Sequence, residues 1–414
     1  MKLNSNGNIL SNATIYTAIE SDGEQPLWIQ QFADLEIVLL SDIMANVLVT
    51  SKDPPKNEPN ESELDEISDE MVQRLNASIM RNLDDMTTFV HETHPSVTLL
   101  FSGGVDSLLL AHLLHKCIDP SMCIDLINVS FDQNSKWVRK RDSCILLIAN
   151  NILQDFSGAP DRVRGIEAYE HLRECYPSRE FRLILVNVDR DELADCRRRH
   201  IARLVRPSET VLDDSIACVL WFAARAEGVL YANTTMPPES LKHSSNSQVD
   251  RVKSESKVVI VGSGADELFG GYSRHRGCYE NAGRLAAIDE MQRELIRIGE
   301  RNLGRDDRII SAHSKDVRAP YLDDLFVEWV NCLPLELKSD FTKIRGVGEK
   351  ALIRRALKHF GAPRTLFAAP KRAMQFGTRI AKLEERKEKG SDRCSRLVVN
   401  DSDAILVGNI ANTN

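Results

Sequence analysis

The stretch 97–110, VTLLFSGGVDSLLL, constrains this chain more than any other. An apolar strand (97–101) runs into a glycine turn (102–106), and an apolar helix begins at Ser107. Gly103 and Gly104 carry no Cβ, so the backbone there can fold sharply and approach a ligand closely. Such a turn presents free N–H groups at a helix start, where each exposed anion contact is worth about 0.3–1 kcal/mol. Ser102 and Ser107 add hydroxyls and Asp106 adds a carboxylate. A carboxylate beside a phosphate cradle repels the anion unless a cation lies between them, so Asp106 implies Mg²⁺. An ordinary strand–turn–helix joint does not need this set of side chains.

The Gly-Lys-Ser/Thr ending of a mononucleotide P-loop is missing. The segment instead resembles the SGGxDS pyrophosphate loop of ATP pyrophosphatases, which cleave ATP to AMP and pyrophosphate. Further strands are predicted at 123–131, 181–188 and 258–261. Helices are predicted at 107–117, at 143–153 and within 208–228, where Val211, Ile216, Val219, Leu220 and Ala223 face inward. Pro160-Asp161-Arg162 reads as a turn, and the polar, serine-rich 237–256 as a loop. This alternation predicts an α/β fold: a parallel sheet with helices on both faces, of ATP-pyrophosphatase (PP-loop) type, with a helical C-terminal part. Ligands of such sheets sit beyond the strand C-termini.

A second loop repeats the plan of the first. KVVIVGSGADELFGGYSRHR (257–276) has an apolar strand, then Gly262-Ser263-Gly264, then Asp266 and Glu267. Two such loops can face one another across a nucleotide, with Asp106 and Asp266 sharing one Mg²⁺–pyrophosphate. The acid pair and the second glycine pair, Gly270-Gly271, separate it from a plain strand-end turn. NLGRDD (302–307) and DVRAPYLD (316–323) read as loops, and GVGEKALIRRALKHFG (346–361) as a helix carrying Lys350, Arg354 and Arg355. Arg354-Arg355 is the pattern of a solvated face. Lys371 differs, because Pro370 precedes it and Ala373-Met374 follows, which suggests a fixed position.

Composition narrows the class. A chain of 414 residues has room for two domains and a large core. A net charge of −8 argues against a general grip on nucleic acid. The first residues, MKLNSNGNIL, lack the apolar core of a signal peptide, and no apolar run approaches the roughly 20 residues of a membrane span. Nine scattered cysteines without a CxxC pair read as free thiols in a reducing compartment, which places the chain in the cytoplasm. His91-Glu92-Thr93-His94 is one residue short of a zinc HExxH, and His112 and His115 lie in an apolar helix, so these read as structural histidines.

Residues 1–66 are weakly patterned: 35–40 and 43–49 read as short strands or as a strand and a helix, and 51–66 as a flexible linker. Ser68 is the expected cap of a helix to about Glu92, with Met71, Leu75, Ile79, Leu83 and Met86 at helical spacing. The expected organisation is an N-terminal segment and linker (1–66), an ATP-pyrophosphatase domain (67–398) and a polar tail (399–414).

Together SGGVDS, GADELFGGYSRHR, NLGRDDR, VRAPYLD, GVGEK and PKRAMQFGTRIAK resemble the synthetase half of asparagine synthetases, over roughly residues 95–398. The resemblance implies a two-step ligase reaction. The side-chain carboxylate of aspartate attacks the α-phosphate of ATP, giving β-aspartyl-AMP and pyrophosphate, and ammonia then displaces AMP. It implies that Phe101, Ser102, Gly103, Gly104, Asp106 and Ser107 hold ATP and pyrophosphate, and that Val129, Gly262 and Ser263 approach the nucleotide. It further implies that Asp106 and Asp266 take Mg²⁺, and that Lys371 stabilises charge on the reacting phosphate.

Two departures stand out. The family carries a glutamate where this chain has Ser263. Its glutaminase domain begins with a cysteine after Met1, whereas here residue 2 is lysine and the first cysteine is Cys117. Residues 1–50 then read as a possible remnant of that domain, and the chain as written is not expected to hydrolyse glutamine. The expected partners are an aspartate-like substrate, ammonia and a possible separate glutaminase, with neither nucleic acid nor membrane. Two other readings compete with the ligase: a non-catalytic nucleotide-binding or scaffold protein on the same fold, and a base-modifying enzyme, which the acidic balance disfavours.

Overall fold

The computed structural model describes residues 51–55, 60–84, 96–132, 156–208, 210–231 and 251–383. Seven strands form one sheet: β1 (Ser96–Leu100), β2 (Cys123–Phe131), β3 (Phe181–Val188), β4 (Glu227–Leu230), β5 (Arg251–Lys253), β6 (Val258–Ile260) and β7 (Asp316–Arg318), in the order β5-β4-β3-β2-β1-β6-β7. The run from β3 to β7 is parallel, and β4 and β5 add an antiparallel edge. The principal helices are α1 (Glu61–Leu83), α2 (Val105–Cys117), α3 (Pro160–Cys175), α4 (Val211–Arg225), α5 (Ser273–Ile296), α6 (Gly304–Ser311) and α7 (Ala351–His359).

Strand alternation creates two cores. On one face Leu99, Leu126 and Leu183 pack with Leu75 and Ile79 of α1, Leu109 of α2 and Leu172 of α3. On the other, Ile127 and Val129 of β2 and Ile184 and Val186 of β3 meet Leu220 and Phe222 of α4. Helices therefore cover both faces, as the sequence predicts. Helix α2 is apolar nearly all round because α1, α7 and the sheet enclose it. His112 belongs to this packing: its ring stacks on Phe360 at 4.8 Å and its Nδ1 meets the Tyr176 hydroxyl at 2.9 Å. Burial pushes its pKa down to about 3, so it is a neutral core aromatic.

Several local expectations are corrected. Helix α1 starts at Glu61, not after Ser68, because Asn60 and Glu63 form a reciprocal capping box. Ser68 is buried inside the helix, and the second half of the expected linker is ordered helix. Pro160-Asp161-Arg162 opens α3 with proline at its first position instead of marking a turn. The expected 237–256 loop contains β5. Residues 302–307 are helical: Gly299–Leu303 winds as a π-helix directly into α6. DVRAPYLD forms β7 and a 3₁₀ turn, Pro320–Leu322, and the expected 346–361 helix is confined to α7. The expected 35–40 and 43–49 elements, the 143–153 helix, His91 to His94 and the tail lie outside the described residues.

Candidate active site

Pairing of β1 with β6, Thr98 opposite Val259 and Leu99 opposite Ile260, sets their C-terminal loops side by side. Phe101 N–H donates to Ile127 O at 2.8 Å, and Asn128 Nδ2 donates to Phe101 O at 2.9 Å, so β2 anchors the first loop. Gly103 has φ +69°, and a Cβ there would strike the backbone of Arg164 at 2.5 Å. Gly104 is the N-cap of helix α2 and offers no side-chain cap, which leaves the first N–H groups of the helix for a ligand. Ser107 Oγ donates to Gly104 O at 3.2 Å, fixing the turn. Gly262 of the second loop lies against Asp106, where a Cβ would rest 3.4 Å from the Asp106 Cβ.

The loops open on a cavity of about 510 Å³, within the range of small-molecule sites. Phe101, Ser102, Gly104, Asp106 and Ser107 line it from the first loop. Val129, Gly262, Ser263, Asp266 and Lys371 complete the expected set. Gly103 is the exception: it packs against α3 and supports the turn from behind.

Two lysines draw the acids together. Lys350 Nζ lies 2.5 Å from Asp106 Oδ2 and 2.6 Å from Asp266 Oδ1, and Lys371 pairs with Asp266 Oδ2. In the sequence Lys350 reads as one charge among several on a helix. The structure buries it at 1% exposure, in a left-handed conformation (φ 55°) at the start of α7. Its one backbone N–H donates to both Phe269 O at 3.1 Å and Ser339 Oγ at 2.9 Å, which holds that conformation. Gly271 makes room for the cluster, since a Cβ there would run into Asp266 Oδ1 and Lys350 Cε.

Arg354 is not on a solvated face either. It is buried and donates to Glu349 O at 2.6 Å, Phe367 O at 2.6 Å and Ala369 O at 3.0 Å. It thereby ties the segment carrying Lys371 to the loop carrying Lys350. Arg276 braces that loop, donating to Glu349 Oε1 and Phe341 O, both at 2.6 Å. Arg355, by contrast, is half-buried on Glu61 and Asp65 of α1.

Lys371 opens into the cavity, and its ammonium lies 4.8 Å from the centre of the Tyr272 ring. Burial pushes its pKa down to about 8, although Asp106 and Asp161 favour the charged form. Burial lifts Asp161 to about 7, opposed by Arg164, Arg372 and Lys371.

The two ends of the cavity differ. Leu100, Ile127, Val129, Leu212, Ile216 and Leu220 form an apolar slot suited to a planar base. The other end is charged. Tyr272 donates to Glu267 Oε1 at 2.7 Å, Arg274 pairs with Glu294 at 2.8 Å, and Arg301 lies 3.3 Å from the same carboxylate. Glu267 is buried and its carboxyl pKa is raised by that burial. Of this end only Glu267 stands out in the sequence, because Arg274 and Glu294 of α5 and Arg301 of the π-helix lie in acid–base runs that look like solvated surface.

The acid pair suits a divalent cation. Asp106 Oδ1 is buried without a hydrogen-bond partner, and Asp266 Oδ1 faces the same ammonium as Asp106 Oδ2. Hard carboxylate oxygens turned toward one point are the donors Mg²⁺ takes, with phosphate oxygens and water completing its shell. Among the described residues no group of three or more His, Cys, Asp or Glu forms an all-protein metal cage.

A mostly parallel sheet with two strand-end glycine loops over a nucleotide-sized cavity defines an ATP-pyrophosphatase fold. The asparagine synthase family model matches this chain over residues 247–297 and 279–395. It is similar to asparagine synthetase domain-containing protein 1 of Gallus gallus, 39% identical over 354 residues, covering 80% of this chain and 54% of the relative. The proteins of that name from Mus musculus and Homo sapiens are 40% and 39% identical over 73% of this chain, covering 49% and 48% of their own lengths. The chain spans about half the length of these curated relatives. Among the described residues no helix is long and apolar enough to cross a membrane, and the described cysteines are free thiols.

Proposed function

We propose that this chain is an asparagine synthetase-like, AMP-forming ligase that activates an aspartate-type carboxylate with ATP and passes it to ammonia. One observation carries this reading: the two strand-end loops and two lysines converge on Asp106 and Asp266 in a single cavity. The apolar slot takes the base. The α2 N–H groups with Ser102 and Ser107 take the pyrophosphate oxygens. Asp106 and Asp266 would hold Mg²⁺, which neutralises the leaving pyrophosphate. The acceptor carboxylate oxygen attacks the α-phosphorus and the bond to pyrophosphate breaks. Ammonia then forms the C–N bond as AMP leaves with the carboxylate oxygen. Lys371 places its ammonium where charge gathers on the reacting phosphate. Cytoplasmic residence and a separate ammonia source belong to the same reading.

Ser263 favours a second reading, a nucleotide-binding scaffold, because serine offers no carboxylate to orient or deprotonate ammonia. The test is pyrophosphate release from Mg²⁺–ATP with and without aspartate and ammonia, beside Asp106→Ala. Aspartate-dependent release that is absent in the variant supports the ligase. No release from a protein whose melting temperature ATP still raises turns the assignment to the scaffold.

A further inference from the structure

We propose that Lys350 is an internal counter-cation that occupies the divalent-ion position between Asp106 and Asp266, so that metal enters only together with a polyphosphate. This rests on the reading of those aspartates as the metal pair. Lys350 Nζ contacts an oxygen of each carboxylate, at 2.5 and 2.6 Å. An ion that needs oxygen ligands at about 2.0–2.1 Å cannot take those oxygens while the ammonium stands between them.

The charge balance points the same way. Two carboxylates, Asp106 and Asp266, face two ammonium groups, Lys350 and Lys371, and their formal charges cancel. A bare dication would leave a buried excess of positive charge, further disfavoured by the buried guanidinium of Arg354. A dication carried on pyrophosphate brings its own negative charge and gives the displaced ammonium a new partner. The backbone of Lys350 is held at φ 55° by Phe269 and Ser339, and Gly271, which lacks a Cβ, leaves room for its stem. The ammonium can therefore swing between carboxylate and phosphate while its base stays fixed.

Equilibrium dialysis of the full chain against Mn²⁺, with and without inorganic pyrophosphate, tests this, using wild type, Lys350→Met and Asp106→Asn. Wild type is expected to retain Mn²⁺ only with pyrophosphate. Lys350→Met should retain it without pyrophosphate, tighter than wild type on the order of a hundredfold. Asp106→Asn should retain it in neither condition. Should Lys350→Met fold poorly, its melting temperature supplies the readout: Mg²⁺ should raise it, while sodium at equal ionic strength should not. Wild type holding Mn²⁺ equally well without pyrophosphate overturns the proposal, as does a Lys350→Met protein that gains neither Mn²⁺ nor Mg²⁺-dependent stability. If no variant holds Mn²⁺ even with pyrophosphate, the metal reading of the aspartates fails first, and the proposal with it.

Discussion

The loops at the ends of β1 and β6 and the segments that deliver Lys350 and Lys371 meet at the same pair of carboxylates, yet they are positioned by different physics. Each loop is fixed locally. A buried strand, a glycine turn and a helix start dictate where its backbone points, and the β1–β6 pairing does the rest. The lysines sit on a bend before α7 and on an irregular stretch after it. Distant contacts set their positions: Arg354 to Phe367 and Ala369, Arg276 to Glu349 and Phe341, Gly271 to Asp266. The placement of both ammonium groups therefore depends on the buried guanidinium groups of Arg354 and Arg276 as much as on the strand loops.

Breaking the lysine side directly should have the largest effect. Lys371→Ala is expected to lower the rate of pyrophosphate release by about 10²–10³ with little change in melting temperature, as loss of one preorganised charge does. Gly271→Ala should cost about 10² by displacing Asp266 and Lys350, and a crystal structure of the variant would show the shift. Arg354→Met should separate positioning from chemistry. Removing a buried donor to several carbonyls should destabilise by about 3 kcal/mol in denaturant titration and lower release by about tenfold, with the loss in kcat rather than KM.

The pH profile sharpens the same contrast. The Lys371 ammonium is lost as pH rises through about 8, so pyrophosphate release should fall on that alkaline limb. Lys371→Arg should move the limb upward, while no change in the limb would detach it from this lysine.

Lys338 gives the smallest and purely structural effect. It is fully buried, its ammonium lacks a hydrogen-bond partner, and burial pushes its pKa from 10.5 down to about 7. The unfolded chain therefore binds more protons between those values, and stability should rise with pH across that window. Lys338→Met should remove this slope and stabilise the fold at neutral pH by on the order of a few kcal/mol, with release unchanged.

Sequence alone resolved what short-range periodicity carries. Strands β2 and β3 fall at their predicted limits because strands buried over most of their length read as largely apolar runs. Asp106, Asp266 and Ser263 were visible because each is attached to a glycine turn at a strand end. Lys371 was visible because a proline and apolar neighbours mark its position. Lys350 and Arg354 were hidden, since a lysine or arginine on an amphipathic helix looks the same in sequence whether it meets water or a buried carboxylate. The charged end of the cavity was hidden for the same reason, and the Asn60 cap because its asparagine lies in a run that composition marks as linker.

The sequence by itself determined an α/β sheet with two phosphate-type loops at strand ends, because strand, turn and helix signals act within a few residues. Only the tertiary structure decided that Lys350 stands between Asp106 and Asp266, that Arg354 is a buried brace, and that α4 turns an apolar edge toward the cavity. Those facts depend on burial and on charges brought together from residues 106 to 371, and no local pattern records which polar side chains lose their water.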